Sequence, residues 1–476
     1  MKRPVVPAVL SAIALSGCGT IASFTSDDAR NTSIETSELA FALPAEWQAD
    51  LSHGDLVIAQ GWSSSFGTDV EALVNEALAS NLDLQASVES VAQAEALLAQ
   101  SRAALSPFLS LGIGFSESEP LEEAQGPGFN FANPSAIDTY SANLSVAWEA
   151  DLRGVNRAGV RAGEAQLAAS QAILEASRQN VAALTAVSYF ELIAARRQLA
   201  LAERTETAIA ESSDLVDRLF EAGAVARRDQ ALSRSDLASA KEAVVAAEIA
   251  VRQAQRALEV LLGRYPGAEI EAADTLPAAP GLLDPATPLD VLRRRPDIVA
   301  AEFNVIAGTA AADQARARRW PQLTFSGGLS SGATEIADVF DPVSMAATVG
   351  GQLAQSLFDG GLRGAQIDAA DASVREGLAR YGSTVLSALA DVENTSDLFS
   401  NLRERESLLK TVLTESNEAL RLTEVRYQAG DTDLLDVLNL RQRSFAAERA
   451  LIANRAAQLQ TQVRLYQALG GPVSGN

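Results

Sequence analysis

One cysteine and one histidine in 476 residues leave little room for metal clusters or for thiol and imidazole chemistry. A zinc cluster, a Cys–His dyad and a Ser–His–Asp triad would all have to be built on Cys18 or His53, and His53 lies in a polar, loop-like stretch. Aromatic residues are also few, at 5%. The apolar share of 47% could bury a large core, but with so few rings and so much alanine it points to long, slim helices. Positive charge is scarce: 38 Lys and Arg stand against 61 Asp and Glu, and the net charge of −23 disfavours binding to nucleic-acid phosphates. Long hydrophobic runs are missing too. Beyond residue 17 no uninterrupted apolar run reaches eighteen residues, so no transmembrane helix follows and any spanning structure must be β.

The amino terminus carries an export signal. Lys2 and Arg3 form a short positive region, Val5 to Leu15 an apolar stretch too short to span a bilayer, and Leu15-Ser16-Gly17-Cys18 follows at the cleavage position. These residues resemble the bacterial lipoprotein box, in which the cysteine is acylated and residues 1–17 would be removed as a signal peptide. The alternative is an ordinary signal peptide with an incidental cysteine. By the lipoprotein sorting rule, Gly19 after the cysteine favours the outer membrane.

The chain is internally duplicated. Asn81-Leu82-Asp83-Leu84 and Arg295-Pro296-Asp297-Ile298 each precede an Ala-rich stretch, ending at Ser106-Pro107 and at Trp320-Pro321. Asp151 matches Asp359, Gly223 matches Gly430, Asp229 matches Asp436 and Gly263 matches Gly470 at nearly constant offsets, so one large unit occurs twice. Most of the length difference falls within 107–151 and 321–359, which places a loop in each. The expected organisation is a lipidated, extended N-terminal segment over 18–72, a first repeat over 73–264, a proline-rich linker over 265–288, a second repeat over 289–471 and a tail over 472–476.

Each repeat has two candidate strands flanking its loop, in hairpins at about 107–149 and 321–357. Leu109, Leu111, Ile113 and Phe115 alternate with Ser110, Gly112 and Gly114, and Tyr140, Ala142, Leu144, Val146 and Trp148 alternate with small or polar residues. The second repeat offers Leu323, Phe325 and Leu329, then Val349, Gly351, Leu353 and Leu357. About nine to eleven residues is the length of a tilted membrane-spanning β-strand, with apolar side chains outward and small polar ones inward. Hairpins on a soluble domain would show the same alternation. Trp148 and Trp320 stand at the strand ends nearest the helices, where an aromatic girdle would meet the bilayer surface. Four strands cannot close a barrel, so several chains must share one.

Helical composition runs from Asp151 to the Gly223 region and from Asp359 to Gly430, about 70 residues or ~105 Å each. Leu73 to Ser106 and Asp229 to Leu262 are expected as helices of half that length, two of which stacked end to end would equal one long helix. Leu438, Phe445, Ile452, Leu459 and Tyr466 recur every seven residues, as do Leu237, Val244, Val251 and Leu258, which is coiled-coil spacing. A soluble coiled-coil scaffold would explain the helices equally well, but not the strands between them.

Taken with the lipobox and the duplication, Ser356-Leu357-Phe358-Asp359-Gly360-Gly361 and Arg426-Tyr427-Gln428-Ala429-Gly430 followed by Leu435-Asp436-Val437-Leu438 resemble the TolC-like outer-membrane efflux proteins, and within them the lipoprotein OprM/NodT branch. The likeness covers roughly residues 60 to 471. It implies an α+β membrane protein: a homotrimer whose twelve strands, four per chain, close one transmembrane β-barrel continued by a long periplasmic α-helical barrel. The number three comes from the resemblance alone. It also implies a periplasmic adaptor (membrane fusion) protein and an inner-membrane pump of RND type as partners, with outer-membrane lipid around the barrel, and no cofactor. Glycine permits the long helices to reverse at Ala222-Gly223 and Ala429-Gly430. By resemblance these tips, with Asp229, meet the adaptor; by themselves they are plain helix caps. Leu435, Asp436 and Asn439 match positions that in relatives line a closed periplasmic mouth, where three Asp436 carboxylates would form a ring. Asn439 departs from the acid usual there, which puts a second acidic ring in doubt, and a solvated helix-face Asp is the bland alternative.

The function expected is passive conduction: an exit duct that carries cargo from adaptor and pump past the outer membrane. A duct for type I protein secretion or metal-ion efflux and a periplasmic lipoprotein scaffold are the competing readings. An enzyme would have to rest on the acidic residues alone, with no phosphate loop or metal cluster beside them. Replacing Cys18 by serine should abolish metabolic acyl labelling while the barrel still folds; label persisting on the variant would refute the anchor.

Overall fold

The computed structural model describes residues 47–48, 61–118, 137–280 and 287–471. The signal peptide, Cys18 and the tail 472–476 lie outside the described residues. In chain order the elements are α1 (Thr68–Ser80), α2 (Leu82–Ala103), β1 (Phe108–Ser118), β2 (Ile137–Ala150), α3 (Val155–Glu221) and α4 (Arg227–Leu261). The second repeat follows with α5 (Pro288–Arg294), α6 (Pro296–Ala317), β3 (Gln322–Ala333), β4 (Met345–Ala354), α7 (Leu362–Gln428) and α8 (Leu434–Ala468).

The two long helices are equal at 67 residues, ~100 Å each, and each begins one residue after a left-handed glycine, Gly154 or Gly361. The aspartate just before each start accepts from the turn that follows. Asp151 takes the N–H of Arg157 at 2.9 Å and Asp359 that of Gly361 at 3.0 Å, which places negative charge at a helix N-terminus where it is stabilising.

The four strands form one antiparallel sheet in the order β1-β2-β3-β4. The helices that feed it keep the same lateral order. Next to the sheet α2 packs on α3, α3 on α6 and α6 on α7; farther away α4 packs on α3, α3 on α8 and α8 on α7. Sheet and helix layer therefore both end on unpartnered elements: β1 with α2 and α4 on one side, β4 with α7 on the other.

Three element boundaries differ from the sequence expectation. The stretch Leu73 to Ser106 is two helices, because Asn81 is extended (φ −65°, ψ 126°) and its side chain accepts the N–H of Leu84 at 2.9 Å, starting α2 anew. The segment 18–72 is not extended throughout, since its described part includes a single helical turn at Ser63–Phe66 and the start of α1 at Thr68. The fourth strand stops at Ala354, leaving Leu357 and Phe358 more than nine-tenths exposed beyond it.

The break at Asn81 is where the short helices meet end to end. The Asn81 amide donates to the carbonyl of Leu261 at 3.0 Å, and Ser80 Oγ to that of Leu262 at 2.7 Å, so the carbonyl end of α4 is capped by the start of α2. In the second repeat Arg295 takes the place of Asn81 and donates to the carbonyl of Ala468 at 3.2 Å. The stack in each repeat combines helices of 22 and 35 residues, shorter than the 67 of its long neighbour; in the first repeat α1 lies beside α3 instead of lengthening the stack.

The main core gathers at this junction. Trp62, Phe66, Val70 and Val74 pack on Phe190 and Ile193 of α3, Leu258 of α4, and Leu459, Val463 and Tyr466 of α8. Ring centroids of Phe66 lie 5.3 Å from Phe190 and 5.8 Å from Tyr466, so one phenylalanine joins the two repeats. Linker residue Ile270 is buried in the same core, held by three backbone N–H groups, of Ala268, Glu269 and Ile270, that donate to the buried Glu259 carboxylate at 2.6–3.0 Å. Burial alone would push that carboxyl up, but the three donors together hold its pKa below the ordinary value.

Close packing at the junction is tightest at Gly263, where an added Cβ would sit 2.5 Å from the Ser80 carbonyl oxygen; its equivalent, Gly470, is crowded by Arg294. Both have positive φ, as does Gly223 at a helix tip, where nothing lies within 4 Å. Gly223→Ala should cost about 1–2 kcal/mol of backbone strain. Gly263→Ala should cost about 1–3 kcal/mol more through overpacking. Thermal unfolding followed by far-UV circular dichroism checks this, and equal losses in the two variants would reject the contact.

Candidate functional site

Strand register sorts the sheet's side chains onto two faces. Leu109 is opposite Val146, Leu111 opposite Leu144, Phe115 opposite Tyr140 and Trp148 opposite Phe325, so one face is apolar across the four strands. The other carries Ser110 opposite Ser145, Gly112 opposite Asn143, Ser326 opposite Gly350 and Thr324 opposite Gln352. The large apolar side chains are exposed, Ile113 by 77% and Val349 by 95%. A single chain thus presents a broad greasy face that no other described residues cover, paired with a face of small polar groups. That sidedness suits a wall between lipid and a water-filled bore.

Trp148 and Trp320 mark the rim next to the helices. The Trp148 ring stacks on Phe325 at 5.9 Å between centroids, and its indole N–H donates to the Leu105 carbonyl at 3.1 Å. Trp320 lies just ahead of β3, and the guanidinium of Arg153 sits 4.6 Å from its ring centroid. An apolar ring body with a polar handle is what the bilayer surface favours.

At the opposite ends of the long helices both reversals have the same geometry. Gly223 and Gly430 are left-handed (φ 72° and 81°) and follow the C-cap residues Ala222 and Ala429. The N–H of Ala224 reaches back to the Leu219 carbonyl at 2.8 Å and that of Asp431 to the Arg426 carbonyl at 2.9 Å, closing a Schellman motif in each. The two tips differ in charge. Around the first, Arg228 pairs with Asp229, while Asp217 accepts from Gln230 at 2.7 Å and from Arg234 at 3.2 Å, which draws the Asp217 carboxyl below its usual pKa. Around the second, Asp431, Asp433 and Asp436 crowd the start of α8, Asp433 caps the Leu435 N–H at 3.3 Å, and Thr432 Oγ1 donates to Asp436 at 2.7 Å.

Leu435, Asp436 and Asn439 are all exposed and fall on one side of α8 by helical spacing, while Val437 between them is buried against the rest of the chain. The three residues are thus together, on a side that no other described part of the chain covers.

Sequence reasoning missed the polar ties that hold α8 in place behind these residues. Arg441 donates to the Ala208 carbonyl and Ser212 Oγ of α3, each at 3.2 Å, and to Glu424 of α7 at 2.7 Å. Farther along, Arg455 and Gln458 of α8 converge on Glu406 of α7, which Lys410 also contacts at 2.9 Å. Burial raises the Glu406 carboxyl, but the donors from Lys410, Arg455 and Gln458 outweigh it and lower the pKa to about 2. Nothing in the one-dimensional pattern pairs residues about 50 positions apart on helices whose registry is set by packing. The seven-residue stripe of α8 also changes along its length: Leu438, Phe445 and Ile452 are half-buried, whereas Leu459 and Tyr466 are fully buried where α1 and the linker cover them.

Among the described residues no helix is long and apolar enough to cross a membrane, and no group of three or more His, Cys, Asp or Glu could hold a metal ion.

The family described as "Outer membrane efflux protein" matches residues 73–264 and 288–471. This chain belongs to that family. It is 31% identical over 438 residues to the pyoverdine export outer membrane protein OpmQ of Pseudomonas aeruginosa, spanning 90% of this chain and 91% of that one. It is 28% identical to nodulation protein T of Rhizobium leguminosarum bv. trifolii, over 90% of each chain. The solved open state of the MtrE outer membrane channel of Neisseria gonorrhoeae superposes with a TM-score of 0.77 at 25% identity, covering 92% of this chain and 97% of that one. The protein is accordingly an outer-membrane efflux channel: its four strands are one chain's share of a β-barrel, and its helices are the periplasmic portion.

Glu406→Gln tests the α7–α8 tie. A carboxyl whose folded pKa is depressed contributes stability that is complete above 4.5 and is lost as pH falls through about 2. The variant should be less stable than wild type at neutral pH and show a flatter decline between pH 4.5 and 2 when unfolding midpoints are followed against pH. Parallel curves for the two proteins would count against the tie.

Proposed function

We propose that this chain trimerises into the exit duct of a tripartite efflux assembly, taking cargo from a periplasmic adaptor and an inner-membrane pump of RND type and conducting it passively to the exterior. The observation that carries this reading is the pair of free edges: among the described residues β1 and β4 each leave a row of backbone donors and acceptors unpaired, next to an apolar face suited to lipid. Three copies close twelve strands and twelve long or stacked helices at once, because strands and helices share one lateral order. Exposed Leu408, Val412, Leu422 and Val425 on α7 and Leu232, Val245 and Ile249 on α4 supply apolar surface for the neighbouring copy on the two open sides.

In this reading Cys18 anchors each copy to the outer membrane. The reversals at Ala222-Gly223, with Asp229, and at Ala429-Gly430 dock on the adaptor. Leu435, Asp436 and Asn439 face the axis at the periplasmic mouth, where three Asp436 carboxylates concentrate cations and three Leu435 side chains narrow the opening. Asn439 adds polarity without charge. In this reading cargo choice rests with the pump.

Asp436→Ala or Leu435→Ala should raise single-channel conductance in planar lipid bilayers, and Asp436→Ala should also reduce cation preference. Conductance unchanged in both would remove these residues from the gate. Failure of the wild-type protein to form any pore would reject the duct itself.

A further inference from the structure

Where α3 leaves the sheet, three arginines follow one another at a spacing of four: Arg153 in the entering turn, then Arg157 and Arg161 in the first two turns. Residues four apart in a helix lie on one side, and these three line a cleft of about 440 Å³ between α3 and the end of α6, together with Asp313 and Ala317. Arg153 makes no ion pair among the described residues and lies over the Trp320 ring. Arg157 is tied to Asp151 at 3.3 Å, and Arg161 reaches Asp313 only at 3.8 Å, a carboxylate that Arg316 already holds at 3.1 Å. Positive charge is therefore gathered and incompletely neutralised here, in a chain whose net charge is −23.

The cleft opens on the outer side of the wall. Arg157 and Arg161 stand 29 residues, about eight turns, above Ala186 and Phe190, so the same side of α3 continues into the layer formed by α1 and the linker. Phe190 packs there on Phe66, and Tyr189 beside it meets Asp69. Three copies of that layer inside the bore would fill it, so the arginine side is external. Neighbouring copies do not cover it, because α3 and α6 are the inner members of the lateral order and the open sides are those of α2, α4 and α7. Its height is that of Trp320, at the rim of the apolar face of the sheet.

We propose that this cleft binds the headgroup phosphate of an anionic phospholipid in the periplasmic leaflet of the outer membrane. Guanidinium groups match a phosphodiester with paired N–H donors, basic clefts at the membrane surface recognise anionic headgroups, and Trp320 is placed to contact the glycerol region while orienting Arg153. The lipid would fix the height and tilt of the barrel where the wall changes from β to α. This inference rests on the outer-membrane channel reading.

The test is native mass spectrometry of the detergent-purified, full-length protein supplied with phosphatidylglycerol, phosphatidylethanolamine or inorganic phosphate. Wild type should retain phosphatidylglycerol in preference to phosphatidylethanolamine. Arg153→Gln, Arg157→Gln and Arg161→Gln combined should weaken that retention by about fivefold per guanidinium removed. Loss of three surface arginines elsewhere, Arg178→Gln, Arg380→Gln and Arg421→Gln, should leave it unchanged. Equal retention of the two lipids by wild type, or equal phosphatidylglycerol retention by the cleft and control variants, overturns the proposal. Displacement of the lipid by millimolar inorganic phosphate also overturns it, because the site would then be one for a free anion. Planar-bilayer conductance of the same samples separates the two levels: pores without lipid selectivity leave the channel reading standing and sink only this inference.

Discussion

A sheet that lies in hydrocarbon cannot leave backbone donors and acceptors unpaired, because no water is there to take them. Every other large feature of this chain follows from how it meets that requirement. Its four strands satisfy one another through two hairpins and a central β2–β3 pairing, and leave β1 and β4 as edges that only another chain can complete. The helices hand the strands over in matching order, so closure of the sheet and closure of the helical wall are one event. Part of the apolar helix surface is left for ring closure, since exposed leucines and valines along α4 and α7 remain in water in the isolated chain.

The duplication shows which parts of the design are backbone and which are chemistry. Asn81 and Arg295 cap equivalent carbonyls, of Leu261 and Ala468, with different side chains, and Gly263 and Gly470 meet equivalent neighbours at Ser80 and Arg294. Between them the repeats have diverged: where the first buries Glu259 under three backbone donors, the second has Tyr466, packed against Phe66 and pushed by burial to a pKa of about 12. The constraint retained is end-to-end contact of a short helix with a shorter one. What differs is how each repeat meets α1 and the linker: the first through the Glu259 carboxylate, the second through the rings and aliphatic side chains of Leu459, Val463 and Tyr466.

The tips repeat that division. Both close with the same left-handed glycine and the same pair of backbone bonds, yet arginine–aspartate pairs surround one and three aspartates crowd the other. The exposed side of α8 next to the second tip carries Leu435, Asp436 and Asn439. The polar ties through Arg441 and Glu406 lie behind that side and hold α8 against α3 and α7 without occupying it.

Local periodicity was enough to read the strands, their two faces, the long helices and the two glycine reversals, because alternation of two and runs of helix-forming residues are properties of neighbours in sequence. The offsets between Asp151 and Asp359 or Gly223 and Gly430 revealed the duplication in the same way. The break at Asn81 was not legible: an Ala-rich helix passes through such a residue unless another helix end is present to take its amide, and that end lies 180 residues away. The stop of β4 at Ala354, the burial of the linker and the convergence of Arg455, Gln458 and Lys410 on Glu406 were likewise decided by packing between distant segments. Composition and period determine which face each element offers; only the folded arrangement decides which faces are covered and which are left for lipid or for another copy.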